Sequence, residues 1–183
     1  MTSGLILVDF QNDYFPGGSM ELVGMEDAAS NAHMILSQYR KTHLPIFHVQ
    51  HLALRPGATF FLPETPGAEI NTLVAPIDKE PLIQKHFPNS FRETQLEATL
   101  RSSDIADLVI CGAMSHMCID ATTRAAFDLG FNCTVAGDAC ATRDLTFEDA
   151  TIAAPAVHAA FMAALNGSYA GVAPTRDLIA AMG

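Results

Sequence analysis

The segment DLVICGAMSHMCIDATTRAAFDLG, residues 107–130, decides the fold prediction for this chain. Its apolar start, Leu108–Cys111, is typical of a buried strand, and the alanine-rich stretch from Cys118 is typical of a helix that ends at Gly130. The residues between them form a turn. Cys118 then falls at the helix start, where free backbone N–H groups and the helix dipole favour a thiolate. We interpret Cys118 as a candidate nucleophile.

The same order of strand, turn and helix is repeated along the rest of the chain. Further strands are predicted at residues 5–10, 45–50, 82–84, 131–136 and 168–172. Helices are predicted at residues 27–39, 92–102 and 155–166, and from residue 175 onward. Thr146 and Asp149 have capping-box spacing, which predicts one more helix before Pro155. This alternation predicts a three-layer, doubly wound, Rossmann-like α/β fold, with about six parallel strands and helices on both faces.

Composition narrows the class of protein. The chain has 183 residues, which we interpret as one domain over residues 1–183, and 49% of them are hydrophobic. Its net charge of −10 comes from scattered acidic residues, which argues against nucleic acid and anionic membranes as partners. No signal peptide or membrane-length apolar run is visible, and the four cysteines form no C-x-x-C pair. We therefore predict a cytoplasmic protein with free thiols, and its long loop predicts a homo-oligomer, a dimer or tetramer.

Polar side chains follow the predicted strands where those strands end. Asp9 ends the first strand, His51 follows the second, Lys85 follows the third, and the turn before Cys118 follows the fourth. Parallel strands present their carboxyl ends at one edge of a sheet, which is where such folds bind ligands. A carboxylate, an amine and a thiol in one crevice predict covalent catalysis on a small carbonyl compound. Residues 51–80 lack a clear period, as functional loops of this length commonly do.

Three sequence blocks resemble the isochorismatase-like cysteine hydrolases. They are VDFQNDYF at residues 8–15, KHFPNSF at 85–91 and GAMSHMCIDATTR at 112–124, and DACAT at 138–142 is similar to a fourth block of that superfamily. The superfamily also includes nicotinamidases, other small-amide hydrolases and isochorismatase itself. Its blocks occur in the same order here and cover essentially the whole chain.

The resemblance implies roles for particular residues. The Asp–Lys–Cys triad of the superfamily carries over to Asp9, Lys85 and Cys118. Its cis peptide bond would fall between Ala113 and Met114, so that the N–H groups of Met114 and Cys118 form an oxyanion hole. Candidates for substrate contact are Gln11, Phe15, His51, Phe60, Phe91 and His116.

The chain departs from the resemblance where a metal would bind. Nicotinamidases carry an Asp-x-His…His metal site after the second strand, and here Ala53 stands where a ligand histidine would be. His48 and His51 are three residues apart on a strand and so point to opposite faces. We therefore predict no metal and no cofactor, which argues against nicotinamidase activity.

The predicted function is metal-independent hydrolysis of a small carbonyl compound, favouring an amide. The alternative is isochorismatase-type vinyl-ether hydrolysis, which gives a dihydrodiol acid and pyruvate, with Asp9 and Lys85 supplying the acid. Two other classes stay open. One is a binding protein with vestigial chemistry, and the other is a redox sensor in which Cys111 or Cys140 resolves an oxidised Cys118.

Overall fold

A parallel sheet forms the centre of the structure, a computed structural model that describes residues 2–182. Within those residues the strands are β1 (Thr2–Val8), β2 (Ile46–His51), β3 (Leu82–Lys85), β4 (Ile105–Ala113), β5 (Asn132–Ala141), β6 (Leu145–Phe147), β7 (Ala150–Ile152) and β8 (Gly171–Ala173). The α-helices are α1 (Met25–Lys41), α2 (Leu96–Ser102), α3 (Asp120–Asp128), α4 (Ala154–Leu165) and α5 (Thr175–Ala181). Short 3₁₀ turns lie at Asn12–Tyr14, Pro66–Ala68 and Thr72–Val74.

In the described part of the chain the main sheet has six strands in the order β3-β2-β1-β4-β5-β8, and every neighbouring pair is parallel. This confirms the predicted fold class. Strands β2 and β3 lie in turn on one side of β1. The chain then returns to the other side of β1, where β4, β5 and β8 lie in turn. The order therefore reverses between β1 and β4. A crevice opens beyond the carboxyl ends of the strands at such a point.

Helices cover both faces of the sheet. Strand β1 shows the division, because Leu5 and Leu7 belong to one apolar core and Ile6 and Val8 belong to the other. Helices α1 and α5 pack on the first core, and α2, α3 and α4 pack on the second. Side chains that alternate between two buried faces explain why the strands read as continuous apolar runs. Between residues 2 and 182, none of the helices combines the length and apolar character that a membrane crossing needs.

The prediction of a helix that begins at Thr146 was wrong. Residues 145–152 form an antiparallel hairpin of β6 and β7, in which Thr146 pairs with Thr151. Glu148 in its turn has a left-handed backbone, with φ of 52°. The hairpin is mostly solvent-exposed, so no core packing imposed a helical period on it. The spacing of Thr146 and Asp149 alone could not separate a hairpin from a cap.

Strand β5 extends further than predicted. The DACAT block at residues 138–142 was expected to follow the strand, but β5 continues through Ala141. The pairing with β4 shifts register, from Ile110 opposite Val135 to Gly112 opposite Cys140. This irregularity carries the chain past the predicted end of the strand. Asp138 lies within β5, and its carboxylate accepts hydrogen bonds from both the N–H and the hydroxyl of Thr175.

Candidate active site

Asp9, Lys85 and Cys118 meet at the crevice. The Lys85 Nζ lies 2.8 Å from Asp9 Oδ2 and donates a hydrogen bond to Cys118 Sγ at 3.1 Å. Asp9 is fully buried, and Lys85 and Cys118 are 1% and 4% exposed. The three side chains come from the carboxyl ends of β1 and β3 and from the turn after β4. The structure thus brings the residues of the predicted triad together.

The backbone at the ends of β1 and β4 places two of these side chains. Asp9 has a left-handed conformation with φ of 56°, and its N–H donates to the Val49 carbonyl oxygen at 3.0 Å. Gly112 has φ of 133°, and a Cβ there would overlap the Val8 carbonyl oxygen. Only glycine therefore allows β4 to run this close to β1 just before the nucleophile turn.

The helical segment that carries Cys118 begins earlier than predicted, at Ser115 and not at Cys118. Residues Ser115–Ile119 form a π-helical turn, in which the Ile119 N–H donates to the Met114 carbonyl oxygen at 3.2 Å, and α3 follows directly. Cys118 lies inside this turn and not at the first position of an α-helix. Such turns occur frequently at functional sites. The peptide bond between Ala113 and Met114 is cis, and the Met114 N–H donates to no acceptor within residues 2–182.

The resting state of Cys118 differs from the expected thiolate. Burial, followed by the nearby Asp9 carboxylate, raises the pKa of the Cys118 thiol to about 12, and the Lys85 ammonium only partly opposes this. Burial alone would lower the pKa of Lys85, but Asp9 and Cys118 outweigh it and leave that pKa above its ordinary value. These shifts favour the protonated thiol of Cys118 and the ammonium form of Lys85 in the resting site.

His51 is the fourth member of this cluster. Lys85 Nζ donates to its Nδ1 at 3.2 Å, which places the ring proton on Nε2. Burial is the largest cause that lowers the pKa of His51 to about 4, so the imidazole is neutral. Gln11 holds the backbone of this residue, because its amide oxygen accepts from the His51 N–H and its amide nitrogen donates to the His51 carbonyl, both at 2.8 Å.

A cavity of about 290 Å³ opens above the sulfur. Its walls are largely aromatic and apolar. The residues that line it are Tyr14, His51, Ala53, Arg55, Ala58, Phe60, Phe61, His86, Phe87, Pro88, Met114, Met117 and Cys118. A compartment of this size fits a small molecule.

Two of the six predicted substrate-contact residues, His51 and Phe60, line this cavity. The structure places the other four elsewhere. Gln11 is fully buried beneath His51, and Phe15 packs on the α1 side of the sheet and borders a separate surface pocket. Phe91 stacks on Phe131 at 6.1 Å, and His116 Nδ1 lies 2.6 Å from Thr142 Oγ1. The side chains of these four residues make packing contacts and hydrogen bonds outside the cavity.

Several lining residues were missed in the sequence. Tyr14 is 2% exposed, and its ring centroid lies 4.5 Å from that of Phe61. Asp13 explains this pairing, because its carboxylate accepts the Phe61 N–H at 2.6 Å and the Ser19 N–H at 3.2 Å. This contact joins segments 48 residues apart. The only local indication of an aromatic wall was the pair Tyr14-Phe15 after a strand end. This pair does not indicate which of the two rings faces the site.

The cluster also bears on metal binding. Among residues 2–182, potential ligand atoms of Asp9, His51 and Cys118 lie within 4.8 Å of one another. Lys85 Nζ already contacts all three residues, so a cation there would meet an ammonium at the same position. His48 is not part of the cluster, since its Nε2 pairs with Glu80 Oε2 at 2.8 Å. These donors do not fit a resident metal, and metal independence stays a prediction.

The fold and the site define a class: parallel α/β proteins with a buried Asp–Lys–Cys cluster at the point where the strand order reverses. The chain belongs to the isochorismatase family of hydrolases, because the family model for the isochorismatase domain matches residues 3–166. This confirms the resemblance found in the sequence.

Known relatives agree with this assignment. The isochorismatase family protein YddQ of Bacillus subtilis is 52% identical over 179 residues, which cover 98% of this chain and 99% of YddQ. A crystal structure of an isochorismatase-family hydrolase from Oleispira antarctica superposes with a TM-score of 0.95 at 50% identity, covering 98% of this chain and 96% of that one. A streptothricin hydrolase of Streptomyces noursei is 31% identical over 77% of this chain and 50% of its own length.

Proposed function

We propose that the protein hydrolyses a small amide without a metal, with Cys118 as the nucleophile. The observation that carries this proposal is the position of the Lys85 ammonium, 2.8 Å from Asp9 and 3.1 Å from the Cys118 sulfur, which lines the cavity. An ammonium between a base and a thiol stabilises the thiolate that forms as the proton leaves.

Asp9 is the proton carrier in the proposed mechanism. Its Oδ1 has no hydrogen-bond partner within residues 2–182, and its carboxylate lies within 4.8 Å of the sulfur. The thiol proton passes to Asp9 as the sulfur attacks the substrate carbonyl carbon. Asp9 then delivers that proton to the departing nitrogen when the C–N bond breaks, leaving a thioester on Cys118.

The second half of the reaction reverses these roles. A water molecule gives one proton to Asp9 and adds its oxygen to the thioester carbonyl, and the C–S bond breaks. The thiolate takes the proton back from Asp9, which restores the resting site and releases a carboxylic acid. In both halves the free N–H of Met114, together with that of Cys118, is the proposed donor to the carbonyl oxygen as it becomes negative.

Two further relatives support amide chemistry by their names. An N-carbamoylsarcosine amidase of Arthrobacter is 28% identical over 144 residues, and nicotinamidase 3 of Arabidopsis thaliana is 23% identical over 162 residues. Neither similarity names the substrate of this chain.

Trapping of the acyl enzyme tests the proposal. The purified protein is incubated with a panel of small amides and esters, and its intact mass is measured. We expect an acyl adduct on Cys118, and a Cys118→Ala variant should show neither adduct nor amide turnover, a loss of at least about a thousandfold. Cys140→Ala, which removes another buried thiol, is the matched control and should keep both. Turnover that survives in Cys118→Ala would exclude the cysteine mechanism.

One observation favours a second candidate reaction. Burial raises the pKa of the Cys118 thiol to about 12, which disfavours the thiolate, and isochorismate cleavage begins with proton transfer to a vinyl ether and not with attack by sulfur. Water adds to the resulting cation, and the products are a dihydrodiol acid and pyruvate. The Cys118→Ala variant separates the two reactions, since vinyl-ether cleavage should partly survive the loss of the nucleophile.

A further inference from the structure

Arg55 differs from every other arginine between residues 2 and 182. The other guanidinium groups each hydrogen-bond or pair with a neighbouring oxygen; they belong to Arg40, Arg92, Arg101, Arg124, Arg143 and Arg176. Arg55 has no such partner, and yet its side chain lines the cavity above Cys118. A positively charged residue without a counter-ion among residues 2–182 therefore belongs to the lining of the substrate compartment.

The surroundings of Arg55 leave this charge uncompensated. The chain has 20 acidic and 10 basic residues, and yet no carboxylate from the described residues lines the cavity. Asp9 lies beneath Cys118 and is already paired with Lys85. His86, another lining residue, uses its Nδ1 on the Leu52 carbonyl at 2.8 Å and leaves Nε2 for other contacts. The Arg55 charge is also the smallest of the causes that act on the lowered pKa of His51, after burial.

The inner and outer ends of the cavity differ in chemical character. Cys118 is 4% exposed at its inner end, whereas Arg55 is exposed to solvent. The rings of Tyr14, Phe60 and Phe61 lie in the wall. A ligand with a reactive carbonyl at one end, a flat apolar body and an anionic group at the other end would satisfy all three regions.

We propose that Arg55 makes this site selective for anionic substrates: small amides or esters that carry a carboxylate or a similar acid group apart from the scissile carbonyl. This inference rests on the proposed function, since it assumes that Cys118 attacks the bound molecule. Arg55 contributes binding and orientation through a charge-assisted hydrogen bond and takes no part in proton transfer.

Alkylation of Cys118 tests the proposal without knowledge of the substrate. Iodoacetate and iodoacetamide react alike: the sulfur forms a bond to carbon, the carbon–iodine bond breaks, iodide leaves and the thiol proton passes to Asp9. They differ only in charge. The ratio of their labelling rates at Cys118, followed by peptide mass spectrometry, therefore reports charge selectivity and cancels changes in thiol reactivity.

We expect Arg55→Gln to lower the ratio of iodoacetate to iodoacetamide labelling about tenfold. Arg176→Gln, which removes a distant exposed arginine and changes the net charge equally, should leave the ratio unchanged. A rise from about 50 to 500 mM salt should lower the ratio in the wild type and not in Arg55→Gln. An unchanged ratio in Arg55→Gln would overturn the proposal.

Calorimetry separates failure of this inference from failure of the proposed function. Benzoate and nitrobenzene have the same shape, but only benzoate is charged. We expect the wild type to bind benzoate about tenfold more tightly than nitrobenzene, and Arg55→Gln to lose that preference. If Cys118 resists both alkylating reagents, the nucleophile assignment fails and calorimetry still decides the role of Arg55. Equal binding of the two ligands by the wild type would refute the role of Arg55.

Discussion

The Lys85 ammonium lies within 3.2 Å of groups on three other side chains: the Asp9 carboxylate, the Cys118 sulfur and the His51 ring. A buried charge with several close partners is stable only as long as the oppositely charged partner is present. Lys85 therefore links the stability of the site to its chemistry.

Replacement of Lys85 by methionine should cost about 3–5 kcal/mol of unfolding free energy, because it leaves the buried Asp9 carboxylate without a counter-charge. Urea denaturation measures this loss. Lys79→Met, at an exposed lysine, is the matched control and should change stability by less than about 0.5 kcal/mol. A small loss in Lys85→Met would mean that Asp9 takes up a proton in place of the ion pair.

At the level of residues, the proposed catalytic side chains at the strand ends could be predicted from the sequence, but few residues of the cavity wall could. Asp9 and Lys85 could be placed because parallel strands end at one edge of a sheet, so their proximity follows from topology. Tyr14 could not be placed, because its packing on Phe61 depends on the contact between Asp13 and the Phe61 N–H across a long irregular loop. No periodic pattern encodes such a contact.

Gly112 of β4 pairs with Val8 of β1 just before the turn that carries Cys118, and the pairing leaves no room for a Cβ. Gly112→Ala should force the two strands apart, both by overlap with the Val8 carbonyl oxygen and by its φ of 133°. We expect a loss of about 3 kcal/mol or more, roughly 6–12 °C in Tm by calorimetry.

Gly171→Ala is the control for that variant, because a Cβ on Gly171 in β8 meets no atom within 4 Å. It should be neutral or slightly stabilising, since alanine loses less backbone entropy than glycine on folding. Equal melting temperatures for the two variants would contradict the close approach of β1 and β4.

Elements with a core face were predictable, and elements without one were not. The helix from Ala154 was placed correctly because Pro155 marks its first turn and Gly167 follows its end. The hairpin at residues 145–152 is exposed, so no packing against the core distinguishes a hairpin from a helix in this part of the sequence. The extension of β5 depends on a register shift against β4, which is a property of two strands and not of either sequence alone.

Acid stability of the whole molecule should depend on His51. Burial lowers its folded pKa from 6.5 to about 4, so the unfolded chain binds a proton in that range that the folded protein does not. The stabilising contribution is complete above pH 6.5 and is lost as the pH falls towards 4. For this one group the slope is at most ~1.4 kcal/mol per pH unit.

Thermal melts between pH 7 and pH 4 test this linkage. The Tm of the wild type should fall across that range, and His51→Asn should show a shallower fall. His43→Asn, which replaces an exposed histidine just after α1, should follow the wild type. The same slope in all three proteins would assign the acid sensitivity to other groups, such as His48, whose pKa is also lowered by burial.

The protonated resting thiol of Cys118 has a consequence for the lifetime of the protein in a cell. Thiolates attack peroxides and disulfides, whereas protonated thiols react with them poorly. In the proposed mechanism the sulfur gives up its proton to Asp9 only as it attacks an electrophile in the cavity. The nucleophile is thus open to oxidation for a small part of each catalytic cycle, and we expect the sulfur of idle molecules to oxidise slowly.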